Sequence, residues 1–327
     1  MNQAQPAPAT WYDRSARTRL EVAGPDRAKF LHNLTTNDVK RLARGAGHES
    51  FVTSPQGKTL AYVTCLATDD ALLIRTDPGA VEALLPHLRK YGIFDDVAIA
   101  DVSAETFEYH LVGPGADELV THLGVDPATI RPLDHRAVDL VGESVRLVRE
   151  NLLGEPGWTW IGPKGLASAI RLEYFGIRGG KAGDATEFEA RRIAAGTPLS
   201  GPDVQAGNLP QEVGRDARAI NFVKGCYLGQ ETVARLDALG HVNKILRGGH
   251  VEGTDAVPSP GTALVDGDGK VVGTITSAAF SAERGVPIFL GYVRVAQAGG
   301  GTRLAIPSLA GADGGPVTAV VAELPSA

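Results

Sequence analysis

The sequence predicts an α+β protein, with a mixed helix-and-strand region over residues 11–243 and a small β-barrel over residues 244–327. Three observations predict it. A short unit of strand, Gly-Pro and helix occurs twice in the first region. From about Lys244 the helical spacing gives way to short β-like runs separated by Gly, Pro and Asp turns. Forty glycines and 20 prolines in 327 residues supply many turns, which favours short elements over long helices.

Taken in order, residues 1–10 are polar and rich in Pro and Ala. They read as a flexible terminus without the charged-then-apolar build of a signal peptide. Residues 20–23 form a short strand that Gly24-Pro25 breaks, and residues 27–34 place Phe30, Leu31 and Leu34 on one helical face. The unit returns as His110-Leu111-Val112, Gly113-Pro114 and a helix over 116–123 carrying Leu119, Val120 and Leu123. Gly24 and Gly113, Pro25 and Pro114, and Leu34 and Leu123 fall at one offset, which indicates a duplicated unit. Neither copy has the glycine pattern of a nucleotide-phosphate loop. Between them, Pro55-Gln56-Gly57-Lys58 turns into a strand over 60–66, with 71–76 as its antiparallel partner. Val81, Leu84, Leu85 and Leu88 give residues 80–90 a helical stripe, weakened by Pro86. Strands follow at 145–149 and 158–161. A helix over 186–195 is expected to open on a capping box of Thr186 and Glu189 and to stop at Gly196. Residues 197–223 are polar and turn-rich, the mark of a functional segment or a linker. In the last region, Asp266-Gly267-Asp268-Gly269 is a hairpin signal.

Composition excludes several classes. Lys+Arg 32 against Asp+Glu 38 gives a net charge of −6, so no broad cationic field attracts nucleic acid. Two cysteines, Cys65 and Cys226, exclude a disulfide scaffold and a self-contained four-thiolate metal or cluster site. No apolar run of about 18 residues exists to span a membrane. A reducing cytoplasm, a monomer and no membrane or nucleic-acid partner are the expectation.

The chemistry concentrates in Lys224-Gly225-Cys226-Tyr227-Leu228-Gly229-Gln230-Glu231. Two glycines bracket a cysteine at a turn that enters a helix. Glycine allows positive φ or close approach of a ligand. A thiol near a helix N-terminus and beside Lys224 sits where positive potential favours thiolate, which is both a nucleophile and a soft-metal ligand. Gln230 and Glu231 add an amide and a proton acceptor. The residues alone are equally compatible with a small buried cysteine in a glycine-shaped turn.

This octapeptide resembles the KGCYxGQE signature of the YgfZ family, which is related to the folate-binding aminomethyltransferase (T-protein) of the glycine cleavage system. The resemblance runs from about Leu20 to Ile306. It includes Gly24-Pro25-Asp26-Arg27, Leu34-Thr35-Thr36-Asn37-Asp38, Ser54-Pro55-Gln56-Gly57-Lys58, Leu209-Pro210-Gln211-Glu212, Gly273 to Ser277 and Gly291-Tyr292-Val293-Arg294. It implies an aminomethyltransferase-like folate-binding fold, with the mixed α/β portions around a central channel and a β-barrel at the C-terminus. It also implies tetrahydrofolate or a one-carbon derivative as cofactor. The implied role is assembly or repair of iron–sulfur clusters in client enzymes, including radical-type tRNA-modifying ones. Cys226 and Lys224 stand at the family's functional cysteine and lysine.

Glu212 stands where relatives place a carboxylate for the pterin amino groups, with a solvated loop glutamate as the alternative. Gly225, Tyr227, Gly229, Gln230 and Glu231 complete the expected cofactor site. Arg235 could hold the folate tail or pair with Glu231 at i, i+4. Tyr62 and Tyr227 are stacking candidates for the pterin, Asn33 is a channel candidate, and Asn33 and Asn37 are also helix-end caps. His241 with one cysteine is too little for a metal site. The stretch Gly57 to Tyr62 lacks the Asp pair of the aminomethyltransferases, so glycine-cleavage chemistry is expected to be lost. The alternatives are a folate-dependent one-carbon transferase or demethylase acting on an amine, and a cysteine-nucleophile hydrolase needing a base near Cys226.

Overall fold

The computed structural model describes residues 9–240, 242–311 and 314–325. Most of the expected flexible terminus and His241 lie outside them; Ala9 is buried and Thr10 already belongs to a strand. The chain opens with β1 (Thr10–Asp13), which joins the second of two open sheets. The first sheet holds β2 (Thr18–Ala23), β3 (Gly47–Thr53), β4 (Thr59–Ala67), β5 (Ala71–Thr76) and β6 (Ala98–Asp101) in the order β3-β4-β5-β2-β6, all antiparallel. Helices α1 (Arg27–Leu34) and α2 (Val81–Tyr91) pack on it, burying Phe30, Leu31, Leu84 and Leu88 against Leu20, Val22, Leu72 and Ile74.

The second sheet takes β7 (Thr106–Val112), β8 (His135–Leu140), β9 (Glu143–Glu150), β10 (Gly157–Pro163) and β11 (Lys181–Ala182) in the order β11-β1-β7-β10-β9-β8. Helix α3 (Gly115–Thr121) and the short α4 (Ala167–Ala169), which continues as a π-helical turn through Gly176, enclose Trp158, Trp160, Tyr109 and Phe175. The duplication is real in three dimensions. Gly24 and Gly113 follow β2 and β7 with φ of +103° and +97°, and each leads into a helix. A Cβ at Gly24 would lie 2.3 Å from the Asp96 carbonyl oxygen, so the turn admits only glycine.

The two sheets meet through charge as well as apolar packing. Arg75 of β5 bridges Glu108 of β7 and Glu150 of β9, with Nη2–Oε1 and Nη1–Oε1 distances of 2.7 and 2.6 Å. Arg17 and Arg19 add a second and third cation to Glu108 at 3.1 and 3.4 Å. Burial alone would raise both glutamates. The surrounding guanidiniums outweigh it and hold both below the usual carboxylate range.

Helix α5 (Ala185–Ala194) and the segment after it join the sheets to the barrel. The capping box expected from Thr186 and Glu189 does not form. Asp184 Oδ1 accepts the Glu187 N–H at 2.8 Å, so the helix starts at Ala185 and Glu189 pairs with Arg192 instead. An Asp just ahead of the helix competes with Thr186 for the cap and wins, because its carboxylate also meets the positive end of the helix. Residues 197–223, with α6 (Asp216–Ala219), are a buried tie rather than a slack linker. Asp203 accepts hydrogen bonds from Arg192, Thr276 and Ser277, fixing helix, loop and barrel together.

After α7 (Gln230–Leu239) come β12 (Lys244–Glu252), β13 (Ala263–Val265), β14 (Val271–Ser281), β15 (Val286–Arg294), β16 (Arg303–Ala305) and β17 (Thr318–Ala322). They close a barrel in the order β12-β15-β14-β13-β16-β17, as the run of short β segments foretold. The sequence patterns did not disclose β1, β3, β6, β8 or the two-residue β11. Polar residues occupy much of β3 and β8, and β1 and β6 have only four residues each, too few to display a period.

Candidate functional site

The signature loop is built by docking against the first sheet. Leu228 N–H donates to the Asn33 carbonyl at 2.8 Å, and Thr53 Oγ1 donates to the Leu228 carbonyl at 2.6 Å. Gly229 has φ of +82° and precedes α7. A Cβ there would lie 2.4 Å from the Ser54 carbonyl oxygen and 2.7 Å from Gly57 Cα. The close approach that this glycine permits is therefore to the tip of the β3–β4 hairpin. Gly225 is under no such demand: its nearest neighbour would be His32 Nε2 at 3.7 Å.

The Lys224 ammonium is spent on backbone carbonyls. It donates to the carbonyls of His32, Thr35 and Asn37 at 2.6, 2.6 and 2.8 Å and caps the C-terminal end of α1. It also lies 4.8 Å from the centroid of the Tyr227 ring. Burial pulls the Lys224 pKa down to about 7, while three carbonyls at the negative end of a helix favour the charged form. Tyr227 is buried, and that burial raises its phenol.

Cys226 is exposed, whereas Cys65 is buried within β4 and its thiol is pushed up to about 12 by that burial. Cys226 opens onto a depression of about 430 Å³ shared with Phe30, Asn33, Tyr91, Asp95 and Tyr227. It lies four residues ahead of Gln230, outside the first turn of α7. Glu231 and Arg235 are exposed on α7 and make no ion pair with each other, so the expected i, i+4 bridge is not formed. Gln230 is half-buried at the start of the helix. Asn37 is structural: its amide donates to the Glu49 and Arg218 carbonyls.

Glu212 is buried at the junction with the barrel. Its Oε2 accepts from Asn208 Nδ2 at 3.1 Å and Leu209 N–H at 3.2 Å, and lies 3.9 Å from Lys244 Nζ. Tyr62 faces a third place, an inner compartment between the two sheets and α5. The expected single cavity holding cysteine, Glu212 and Tyr62 is thus divided among three locations. The signature loop spends its contacts on the first sheet, and the Leu209–Glu212 turn spends its carboxylate on its own backbone.

The inner compartment carries polar groups that sequence reasoning missed. It is about 40 Å³ and is lined by Arg14, Arg17, Glu49, Tyr62, Asp77 and Arg192, among others. Glu49 Oε2 and Arg14 Nε are buried without a hydrogen-bond partner. Tyr62 is raised well above its usual value, by burial first and then by the Glu49 charge. Thr197 is also a wall of a wider vestibule of about 390 Å³ that carries Arg215 and Arg218. Arg215 Nε is buried and unpartnered, and Arg218 reaches Glu49 Oε1 at 3.5 Å. Two signals pointed here, Tyr62 as a stacking candidate and the polar, turn-rich segment 197–223. Glu49 lies inside a strand and gave none.

Comparison with known proteins adds the ancestry of this arrangement. The GCVT N-terminal domain matches residues 5–215, and the glycine cleavage T-protein C-terminal barrel domain matches residues 244–326. The tRNA-modifying protein YgfZ of Colwellia psychrerythraea is 27% identical over 69% of this chain and 67% of its own length. The chain belongs to the aminomethyltransferase-related GCVT family, and it is similar to YgfZ. Human (Homo sapiens) mitochondrial iron-sulfur cluster assembly factor IBA57 is 28% identical over 82% of this chain and 74% of its own length. A putative chloroplastic transferase of Arabidopsis thaliana is 26% identical over 96% of this chain and 70% of its own. Aminomethyltransferase T of the Bartonella henselae glycine cleavage system superposes with a TM-score of 0.85, over 98% of this chain and 87% of that one, at 20% identity. The aminomethyltransferase-like fold expected for the YgfZ family is therefore borne out. Among the described residues no helix is long and apolar enough to cross a membrane, and no group of three or more His, Cys, Asp or Glu could hold a metal ion.

Proposed function

We propose that this GCVT-family chain binds a reduced folate and acts as an accessory factor in assembly or repair of iron–sulfur clusters in client enzymes, including tRNA-modifying ones, with Cys226 as its working thiol. The observation that carries the reading is the placement of Cys226. It is exposed on a loop whose backbone is pinned by Leu228, Gly229 and Lys224, while Cys65 is sealed in the core. A pinned loop holds a thiol in one position for a partner, and one thiol is too few for a cluster of its own. Any cluster handled here is cargo shared with the client or an external thiol.

The residues of the vestibule and of the inner compartment that shares Thr197 with it suit tetrahydrofolate or a one-carbon derivative. In the adjoining inner compartment the half-buried Glu49 has a buried, unpartnered oxygen for the pterin's amino and ring N–H donors, and Tyr62 offers a ring beside it. Arg215 and Arg218 offer guanidiniums to a carboxylate tail. The inner compartment is smaller than a bicyclic ring, so the ring occupies the vestibule and reaches Glu49 from there. When bound, the folate supplies one-carbon or reducing chemistry through its reduced ring. The chain's part is to orient that ring and to neutralise the tail.

Replacing Cys226 by alanine is expected to abolish client activation and leave the melting temperature unchanged, because the side chain is exposed. Full complementation by that variant would reduce the cysteine to a surface residue. The purified protein is expected to be colourless; stoichiometric cluster absorption would contradict a shared cargo.

Calorimetric titration with tetrahydrofolate is expected to give one site per chain. Glu49→Gln and Arg215→Gln are each expected to weaken it by about tenfold or more, the worth of one charge-assisted hydrogen bond. Glu212→Ala tests the alternative placement at the barrel junction. A loss of binding there, with Glu49→Gln unaffected, would move the folate to Glu212. The likeness to aminomethyltransferase T favours a second reading, a folate-dependent one-carbon transferase. No carboxylate stands between Gly57 and Tyr62 to serve it, and turnover of tetrahydrofolate with an amine substrate would revive it.

A further inference from the structure

A separate concavity lies on the outside of the barrel. In the pairing of β12 with β15, Lys244 stands directly opposite Arg294. Opposite residues of an antiparallel pair project from the same face, so two cations share one cross-strand position, an arrangement that is unfavourable when nothing lies between them. Tyr292, two residues before Arg294, stands on that face too, opposite Thr274 of β14. Lys244 Nζ lies 4.7 Å from the Tyr292 ring centroid and 3.9 Å from Glu212 Oε2, a carboxylate oxygen already occupied by Asn208 and Leu209. The Arg294 side chain is exposed and makes no hydrogen bond or ion pair with any described residue.

These groups border a cavity of about 610 Å³. Pro260 and the exposed Val271 give it apolar walls, the β14 backbone at 272–276 forms its floor, and the loop carrying Gln205 and Asn208 closes its far side. The loop itself is held to the barrel, since the Tyr292 hydroxyl donates to the Asp203 carbonyl at 2.9 Å. A pocket of this size, mostly apolar, with two convergent cations and a few amides at a junction between parts of the chain, has the make-up of a small-molecule site.

We infer that this cavity binds a small oxyanion-bearing molecule, a carboxylate or phosphate on a flat apolar body. The oxyanion lies between Lys244 and Arg294, and the body rests against Tyr292, Pro260 and Val271. The anion relieves the repulsion between the two cations. Arg294 supplies the fork for a two-point contact, and Lys244 supplies a point charge already oriented by the tyrosine face. The site is distinct from the vestibule, because Arg215, Arg218 and Glu49 do not border it.

The test uses the full chain with phenyl phosphate, benzoate and inorganic phosphate as probes, followed by calorimetry and by competition between them. One phenyl phosphate or one benzoate per chain is expected, and whichever binds more tightly assigns the head group. Inorganic phosphate is expected to bind about tenfold more weakly or worse for want of the apolar body. Arg294→Gln is expected to weaken the tighter aryl probe by about tenfold or more. Thr274→Trp, an exposed strand position that fills the pocket, is expected to abolish binding. Arg215→Gln is expected to leave it unchanged. Both Arg294 and Thr274 are exposed, so a retained melting temperature certifies the fold of each variant. Absence of saturable binding by either aryl probe would overturn the assignment, and so would wild-type affinity in both Arg294→Gln and Thr274→Trp.

Discussion

Replacement of Arg75 by methionine is expected to destabilise the protein by about 3–5 kcal/mol, the usual cost of leaving buried charges without their partner. Arg75 makes four hydrogen bonds, two to Glu108 and two to Glu150, at 2.6–3.2 Å, and all three side chains are buried. Glu108 retains Arg17 and Arg19 in the variant, whereas Glu150 keeps only the Thr159 hydroxyl among these contacts. Arg75→Lys should rescue little, because an ammonium cannot present two parallel forks.

The pH dependence separates this explanation from a simple packing loss. Both glutamates are held below their unfolded values in the wild type. Their contribution is therefore complete above the unfolded carboxylate range and is lost as pH falls through it, below about 4.3. In the variant, burial dominates at Glu150 and raises it, so protonation favours the folded state. The stability deficit of Arg75→Met relative to the wild type should shrink as pH falls from 7 to 5, on top of the loss that the buried histidines His48, His110 and His135 impose as they are driven to charge. Urea midpoints across that range measure it, and parallel pH profiles in the two proteins would refute the charge argument.

Replacement of Lys224 by methionine is the second large effect, about 2–3 kcal/mol, since it strips a charged donor from three carbonyls at the end of α1. The loss should be local. Hydrogen exchange is expected to rise at the C-terminal turn of α1 and across the loop 224–229, while the barrel strands keep their protection. Client activation should fall in step, although Cys226 is present, because the thiol is no longer held in place. A Lys224→Met protein with unaltered exchange but lost activation would instead give the ammonium a direct chemical role.

The signature that drew attention to Lys224 and Cys226 was legible in eight consecutive residues. The role of the lysine was not, because its acceptors lie far earlier in the chain, His32 standing 192 positions before Lys224. The same distance problem hid the inner compartment. Glu49 and Arg218 come together across 169 residues, and only the polar, turn-rich character of the segment around Arg218 hints at it. Glu212 shows the converse. Its local motif was readable, yet the nearest donors, Asn208 and Leu209, are its immediate neighbours and claim the carboxylate.

The sequence by itself determined the duplicated Gly-Pro turns, the apolar faces of α1 and α2, the run of short barrel strands and the family of the signature. Each of these is written in residues a few positions apart, where backbone conformation and side-chain periodicity act directly. Only the tertiary structure decided which polar groups share a cavity, that Lys224 anchors a helix end, and that Cys226 faces outward away from Tyr62 and Glu212. Those outcomes depend on how two sheets and a barrel settle against one another, and short-range order carries no record of that.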